Sequence, residues 1–224
     1  MGSLPAAFYD RPVLEVAEEL IGCTVTCKRG RQTASGVIVE TEAYHDSEPA
    51  CHAFVGLTPR TETLFGPPGR AYVYRSYGVH ALLNAVCEPE GVGAAVLIRA
   101  LEPVKGIEAM RKRRETPRRA DGSARANRAA FSKRSREPKG PSRPRLTDLC
   151  SGPGKLTEAL GITLAENDGD LRTGSVRIGP RPADWAHPTV VGARVGISKA
   201  VELPWRFCVA GNLNVSRPRP AGWR

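Results

Sequence analysis

Arg70-Ala71-Tyr72-Val73-Tyr74-Arg75-Ser76-Tyr77-Gly78-Val79-His80-Ala81-Leu82-Leu83-Asn84-Ala85-Val86-Cys87 is the stretch that decides the fold. It reads as two strands, Arg70–Tyr77 and Val79–Cys87, meeting at Gly78 in a hairpin, so the sheet is at least partly antiparallel. Strand parity puts Tyr72 and Tyr74 on one face and turns Tyr77 the other way, beside the turn. A further strand is expected at Ala94–Leu101. Upstream, Cys23–Cys27 and Gly36–Ala43 flank a Lys28-Arg29-Gly30-Arg31 turn. Late strands are expected near Leu171–Ile178, Thr189–Ile197 and Arg206–Val209.

Helical signals are fewer. Asp10 is a candidate N-cap, Pro12 suits the first turn, and Val13, Val16, Ala17 and Leu20 make an apolar stripe ending before Gly22. A second helix is expected from about Lys105 to Arg114. A third is capped by Ser151, runs through Leu160 and closes at Gly161. The segment between His45 and Gly69 is too rich in proline and glycine to be regular. The fold class is therefore mixed α and β (α+β), a single domain dominated by strands over residues 1–224.

The chain has 224 residues, 41% hydrophobic and 25% charged, as in an ordinary globular domain. It has no apolar run of about 18 residues, so no membrane-spanning helix is expected. Met1-Gly2-Ser3-Leu4-Pro5 lacks the pattern of a signal peptide, which makes the cytoplasm or nucleoid the expected location. The formal net charge of +10 is localised. Residues 111–145 hold 14 Lys/Arg and 3 Asp/Glu, leaving 19 basic and 20 acidic residues elsewhere out of totals of 33 and 23. The stretch at about 115–145 has scarcely an apolar anchor beyond Phe131 and is expected to be a disordered basic insertion. Six scattered cysteines, with Cys51-His52 adjacent, do not make a zinc-ligand pattern, so reduced, mostly buried thiols and no metal are expected.

Residues 40–103 carry polar groups on segments that otherwise read as buried strands. Leaving such groups unpaired costs about 1–3 kcal/mol each, so a site is expected there. Ile38, Glu40, Glu42 and Tyr44 share one strand face; Val37, Val39, Thr41 and Ala43 share the other. An edge strand with a solvated face fits this alternation. So does an inverting O-glycosidase pair, because carboxylates two strand residues apart lie about 7 Å from one another. Arg99 interrupts an apolar run and calls for a carboxylate or phosphate partner, a structural salt bridge being the plain alternative. His52 is either a surface histidine or a site group. Tyr77, at a hairpin tip beside glycine, suits a wedge between bases.

Eight motifs then occur in order. They are V-E-T-E-A-Y at 39–44, A-C-H at 50–52, T-P-R at 58–60, P-G-R-A-Y-V-Y-R-S-Y-G at 68–78, L-L-N at 82–84, V-L-I-R-A-L-E-P at 96–103, S-G-P-G-K-L at 151–156 and A-R-V-G at 193–196. Any one would be weak; together, over most of the chain, they are specific. The chain resembles the alkyladenine (3-methyladenine, or methylpurine) DNA glycosylase family.

The resemblance implies one α+β domain around a curved, mainly antiparallel sheet with flanking helices and a protruding DNA-wedging hairpin. It implies a monofunctional glycosylase that flips alkylated or deaminated purines from duplex DNA and hydrolyses the N-glycosidic bond, leaving an abasic site. No cofactor is required, and a monomer acting on damaged double-stranded DNA is expected. Glu42 matches the base that activates water for attack at C1′. Arg99 matches the residue that helps hold that water, and Val195 the backbone carbonyl that contacts it. A cation beside Glu42 is expected to keep the carboxylate ionised.

Tyr44, His52 and Tyr74 match the residues that sandwich the damaged base. Asn84 matches the position that clashes with the 2-amino group of guanine, favouring adenine-like bases and hypoxanthine. Tyr77 matches the side chain that fills the gap in the duplex. Two departures stand out. Val79 follows the hairpin tip where a bulkier residue is common, and the 115–145 insertion is long, with salt-sensitive nonspecific DNA affinity as its expected contribution. The alternative function is a catalytically silent binder of damaged or distorted nucleic acid on the same fold. The intact Glu42–Arg99 pair argues against it, since binding alone needs no water-activating group.

Overall fold

The computed structural model describes residues 2–115 and 143–224; the basic insertion expected at about 115–145 lies outside them except at its two ends. Eight strands form one antiparallel sheet: β1 (Thr24–Arg29), β2 (Gln32–His45), β3 (Ala71–Ser76), β4 (His80–Val86), β5 (Ala94–Lys105), β6 (Val176–Gly179), β7 (Thr189–Gly192) and β8 (Arg206–Val209). The order runs β3-β4-β5-β2-β1-β6, with β8 pairing with both β2 and β7. β2 is the spine. Its first half pairs with β1, residues 40–42 pair with β8, and β5 follows it along most of its length. Changing partners along a 14-residue strand lets the sheet curl, and the result is an α+β domain around a curved sheet.

Strict alternation breaks down at two places along β2, between Ser35 and Gly36 and around Glu40, and the second matters. The β2–β5 register shifts between Ile38 and Glu40 and again between Glu40 and Thr41, so Val39 on β2 and Arg99 on β5 are extra residues. Ile38, expected on the face of the two glutamates, joins the main apolar core with Val39. Glu40 and Glu42 remain together, and Arg99 reaches both.

Among the described residues four α-helices flank the sheet: α1 (Ala6–Tyr9), α2 (Val13–Glu19), α3 (Ile107–Glu115) and α4 (Pro153–Leu160). The apolar stripe of α2 is buried as expected, and Thr41 Oγ1 donates to the Ala17 carbonyl at 2.7 Å. Asp10 is not its cap. The helix starts at Val13 after Pro12, and the Val13 N–H donates to the Glu88 carboxylate at 2.9 Å. A carboxylate brought in by the fold does what a local cap would have done. Ser151 does not cap α4 either. Gly152 occupies the cap position at φ 128, while Ser151 bridges to Ala100 of β5. Gly161 closes α4 in the left-handed conformation, as read from the sequence.

Of the late strands, β8 spans Arg206–Val209 as expected, while β6 and β7 are shorter than read from the sequence. Residues 171–175 form a turn in which the Gly174 N–H donates to the Asp170 carbonyl, and β7 stops at Gly192. The chain from 193 is thereby free to carry Arg194 and Val195 towards β2. All six cysteines are buried and unpaired, and burial raises the thiols, Cys150 and Cys208 to about 12. Among the described residues no helix is long and apolar enough to cross a membrane, and no group of His, Cys, Asp and Glu is placed to hold a metal ion.

Candidate active site

The site begins at the register shift between β2 and β5. Glu40 is fully buried and accepts four hydrogen bonds: from Arg99 Nε (2.8 Å), Arg206 Nε (2.9 Å), and the Ser216 N–H (2.7 Å) and Oγ (2.8 Å). Burial opposes its ionisation, but Arg99, Arg206 and the Ser216 amide outweigh burial and hold it below the ordinary carboxylate range. Glu40 is thus a buried counter-ion to Arg99 and Arg206.

Glu42, two residues on, is also fully buried. It accepts from Arg99 Nη1 at 3.1 Å, the Tyr44 hydroxyl at 2.8 Å and the Val195 N–H at 2.7 Å. Here burial prevails, and the carboxyl is pushed above its usual range against the pull of those donors. The expectation that Arg99 chiefly keeps Glu42 ionised is therefore revised. The guanidinium is shared, with its shorter contact to Glu40, and Glu42 is left the more basic of the two. Glu40, saturated and interior, is unavailable as the second carboxylate of an O-glycosidase.

Tyr44, Arg99 and Val195 all line a cavity of about 810 Å³. Glu42 sits directly behind them. Its three donors use three of the roughly four acceptor positions of a carboxylate. One position remains open.

The opposite character belongs to a satellite apolar cluster of Cys51, Ala53, Leu64, Tyr72, Val86 and Ala95, with Tyr44 and Tyr74 packed against it. Tyr72 and Tyr74, alternate residues of β3, stack at 5.4 Å between centroids. His52, from the 3-10 turn His52–Val55, meets Tyr74 edge-on at 4.6 Å. Arg60 Nη2 donates to His52 Nε2 at 3.2 Å, so Nδ1 carries the proton and donates to the Tyr72 hydroxyl at 3.1 Å. Burial, aided by Arg60, lowers the His52 pKa and favours this neutral ring. Asn84, opposite Tyr72 on β4, is buried, lines the cavity and donates from Nδ2 to the Tyr72 carbonyl at 3.0 Å.

The cavity mouth is basic. Arg60, Arg75, Arg114, Lys155 and Lys199 join Arg99 in lining it, and among the described residues no Asp or Glu does so. A chain body that is nearly neutral outside one segment thus gathers positive charge locally, the placement that a polyanion needs. Tyr77 stands at the rim, 91% exposed at the hairpin tip. It and Gly78 take φ values of 48° and 69°, and the Val79 N–H closes the turn on the Ser76 carbonyl at 3.0 Å. A tyrosine in the left-handed region, displayed to solvent, is a strained arrangement that stability does not explain.

All eight residues singled out from the sequence meet here: Glu42 in the wall, and Arg99, Tyr44, His52, Tyr74, Asn84, Val195 and Tyr77 on the cavity itself. Val195 engages Glu42 through its N–H, a contact that the sequence did not point to. Sequence reasoning missed Tyr72, Arg60, Arg194 and Ser216. The first three lie within quoted motifs, and Tyr72 shares a strand face with Tyr74, a usable signal. Ser216 has no signal in the chain around it.

A family model described as methylpurine-DNA glycosylase matches residues 7–213. A Bradyrhizobium diazoefficiens protein is 48% identical over 217 residues, covering 97% of this chain and 92% of its own length. A Rhodopseudomonas palustris protein is 46% identical over 213 residues (95% and 87%), and one from Rubrobacter xylanophilus 45% over 202 (90% of each). Each of the three bears the name "Putative 3-methyladenine DNA glycosylase".

Proposed function

This chain belongs to the methylpurine-DNA glycosylase family, and from that premise we propose that it excises damaged purines from duplex DNA with Glu42 as the general base. That it is a DNA glycosylase, a hydrolase of N-glycosyl bonds acting on DNA, follows from the family itself. The finer reading concerns this cavity. A damaged nucleotide is rotated out of the duplex, and Tyr77 fills the space it leaves. The base lies among Tyr44, His52 and Tyr74, with Tyr72 backing the aromatic wall.

Glu42 takes a proton from a water that Arg99 and the chain at Val195 hold, and the water oxygen bonds to C1′ as the C1′–N bond breaks. For a purine alkylated at N3 or N7, the bond's electron pair neutralises the base's positive charge, so the base leaves without a proton donor. Stacking on electron-rich rings favours such a cation. Asn84, fixed by the Tyr72 carbonyl, opposes a 2-amino group and so favours adenine-like bases and hypoxanthine. The product is an abasic site, and the enzyme acts as a monomer.

One observation carries this reading. A carboxyl made more basic by burial sits behind three hydrogen-bond donors that themselves line an aromatic, positively charged cavity. The test is base release from duplexes carrying 7-methylguanine, hypoxanthine or ethenoadenine, with wild type beside Glu42→Gln. We expect excision by wild type and lesion binding without excision by the variant. Binding without release by both would make the protein a silent lesion binder; equal release by both would remove Glu42 from the mechanism.

A further inference from the structure

Arg194 is the least explained charge near the site. Its side chain is fully buried, and it forms a forked ion pair with Glu48, itself 5% exposed, at 2.6 and 3.0 Å. The same guanidinium donates to the Ala43 carbonyl at 3.0 Å and the Ala200 carbonyl at 3.3 Å. It lies 4.7 Å from the centroid of the Tyr44 ring and 5.3 Å from that of Trp205. Glu48 is fixed in turn by the Ala50 N–H at 2.8 Å. Arg194 does not line the cavity; its neighbour Val195 does.

A buried ion pair is a poor way to gain stability, since an apolar replacement of similar volume is often neutral or better. This one is not optimised for stability, because Arg194 Nε is buried without a partner. What the pair does achieve is geometric. A planar cation touches the end of β2, the 45–51 loop, the 193–200 loop and the approach to β8. One of those contacts leads to Glu42, and so does the residue next in the chain. Tyr44, under the guanidinium, donates its hydroxyl to Glu42 Oε2. Val195, the next residue, donates its N–H to Glu42 Oε1.

We propose that Arg194, clamped by Glu48, is a positioning residue that holds Tyr44 and the Val195 amide on Glu42, and so sets that carboxylate's basicity and orientation for excision. The proposal rests on Glu42 being the base. The groups around Glu42 are Arg99 from β5, Glu40 and Tyr44 along β2, Tyr74 from β3, Arg206 and Cys208 from β8, and Arg194 itself. Arg99 foremost, then the Val195 N–H and the Tyr44 hydroxyl, stabilise the ionised carboxylate, and the last two are the donors that adjoin Arg194, one by the chain and one under its guanidinium. Loosening them raises the pKa of Glu42. Excision needs the ionised form, so the acid limb of the pH profile moves to higher pH.

The test is single-turnover excision against pH for wild type, Arg194→Lys and Glu48→Gln, with lesion-duplex affinity and thermal unfolding measured alongside. Lysine keeps the charge but loses the fork and the planar face. We expect Arg194→Lys to lower the maximal rate about 10- to 100-fold, to move the acid limb up by about one pH unit, and to change duplex affinity less than about twofold. Glu48→Gln should move the limb the same way by less. An unmoved limb, with activity tracking the folded fraction, would make Arg194 structural and overturn the proposal. Failure of both variants to fold would do the same. Glu42→Gln separates the two readings. If it is inert while the Arg194→Lys limb is unmoved, only the positioning role falls. If it excises like wild type, the general-base reading falls and takes this inference with it.

Discussion

Glu40→Gln tests the division of labour between the two glutamates. Glu40, Glu42, Arg99 and Arg206 form a charge-balanced buried group, with Ser216 closing one side. Neutralising Glu40 leaves one positive charge in excess. The amide also cannot satisfy its surroundings, because both oxygens of Glu40 receive donors: three on Oε1 and the Ser216 N–H on Oε2. Whichever way the glutamine turns, its NH2 meets an N–H or an O–H. Breaking a buried pair from one side costs about 3–5 kcal/mol. For a chain of this length that is a fall in melting temperature of about 6–20 °C.

The second readout has the opposite sign from a general loss of function. The charge on Glu40 helps to raise the pKa of Glu42, so removing it lowers that pKa. The acid limb of the excision profile should move to lower pH in whatever fraction stays folded. Urea unfolding and single-turnover pH profiles measure both effects. A stability loss below about 1 kcal/mol, the range of solvated ion pairs, would refute the description of Glu40 as a buried counter-ion. A limb that moves upward would refute the electrostatic coupling. The depressed folded pKa of Glu40 has a consequence in wild type too. Its stabilisation is complete above the ordinary carboxylate range and fades as the pH falls through that range towards the folded value, a sensitivity that the Gln variant should have lost.

Three further outcomes are expected. Tyr77→Gly should leave the melting temperature within about 2 °C, since relief of the left-handed strain offsets the added chain entropy; lesion-duplex affinity should fall at least about tenfold if Tyr77 fills the duplex, and retained affinity would remove it from the interface. Gly106→Ala places a Cβ 2.5 Å from the Thr33 carbonyl oxygen at φ 76°, against backbone that cannot yield, and should cost about 2–4 kcal/mol by urea unfolding. His52, with its pKa lowered in the fold, contributes stability that is complete above its unfolded value near 6.5 and is lost as the pH drops through it. His52→Gln should flatten the stability difference between pH 7.5 and 5.5.

The chain by itself determined what depends on short-range geometry. Alternation over 70–87 specified the Tyr77–Gly78 hairpin and put Tyr72 and Tyr74 on one face. Gly161 ended α4 because only its left-handed backbone closes the helix cheaply. Ordered motifs singled out Glu42, Arg99 and the aromatic residues, which the fold brings together at the cavity. The tertiary structure decided which charges pair. Arg99 meets Glu40 across 59 residues, and Ser216 meets it across 176.

No periodicity records such contacts, and the register shift that turns Arg99 towards both glutamates is invisible to a strict period of two. Caps failed for the same reason. Asp10 and Ser151 looked sufficient locally, but a distant carboxylate, Glu88, serves α2 and a bridge to β5 occupies Ser151. Which of two neighbouring glutamates becomes the counter-ion and which is left the more basic follows from burial and from partners gathered out of β5, β8 and the chain on either side of β8. Those energies are set by distances in space, which the order of residues constrains only through the fold.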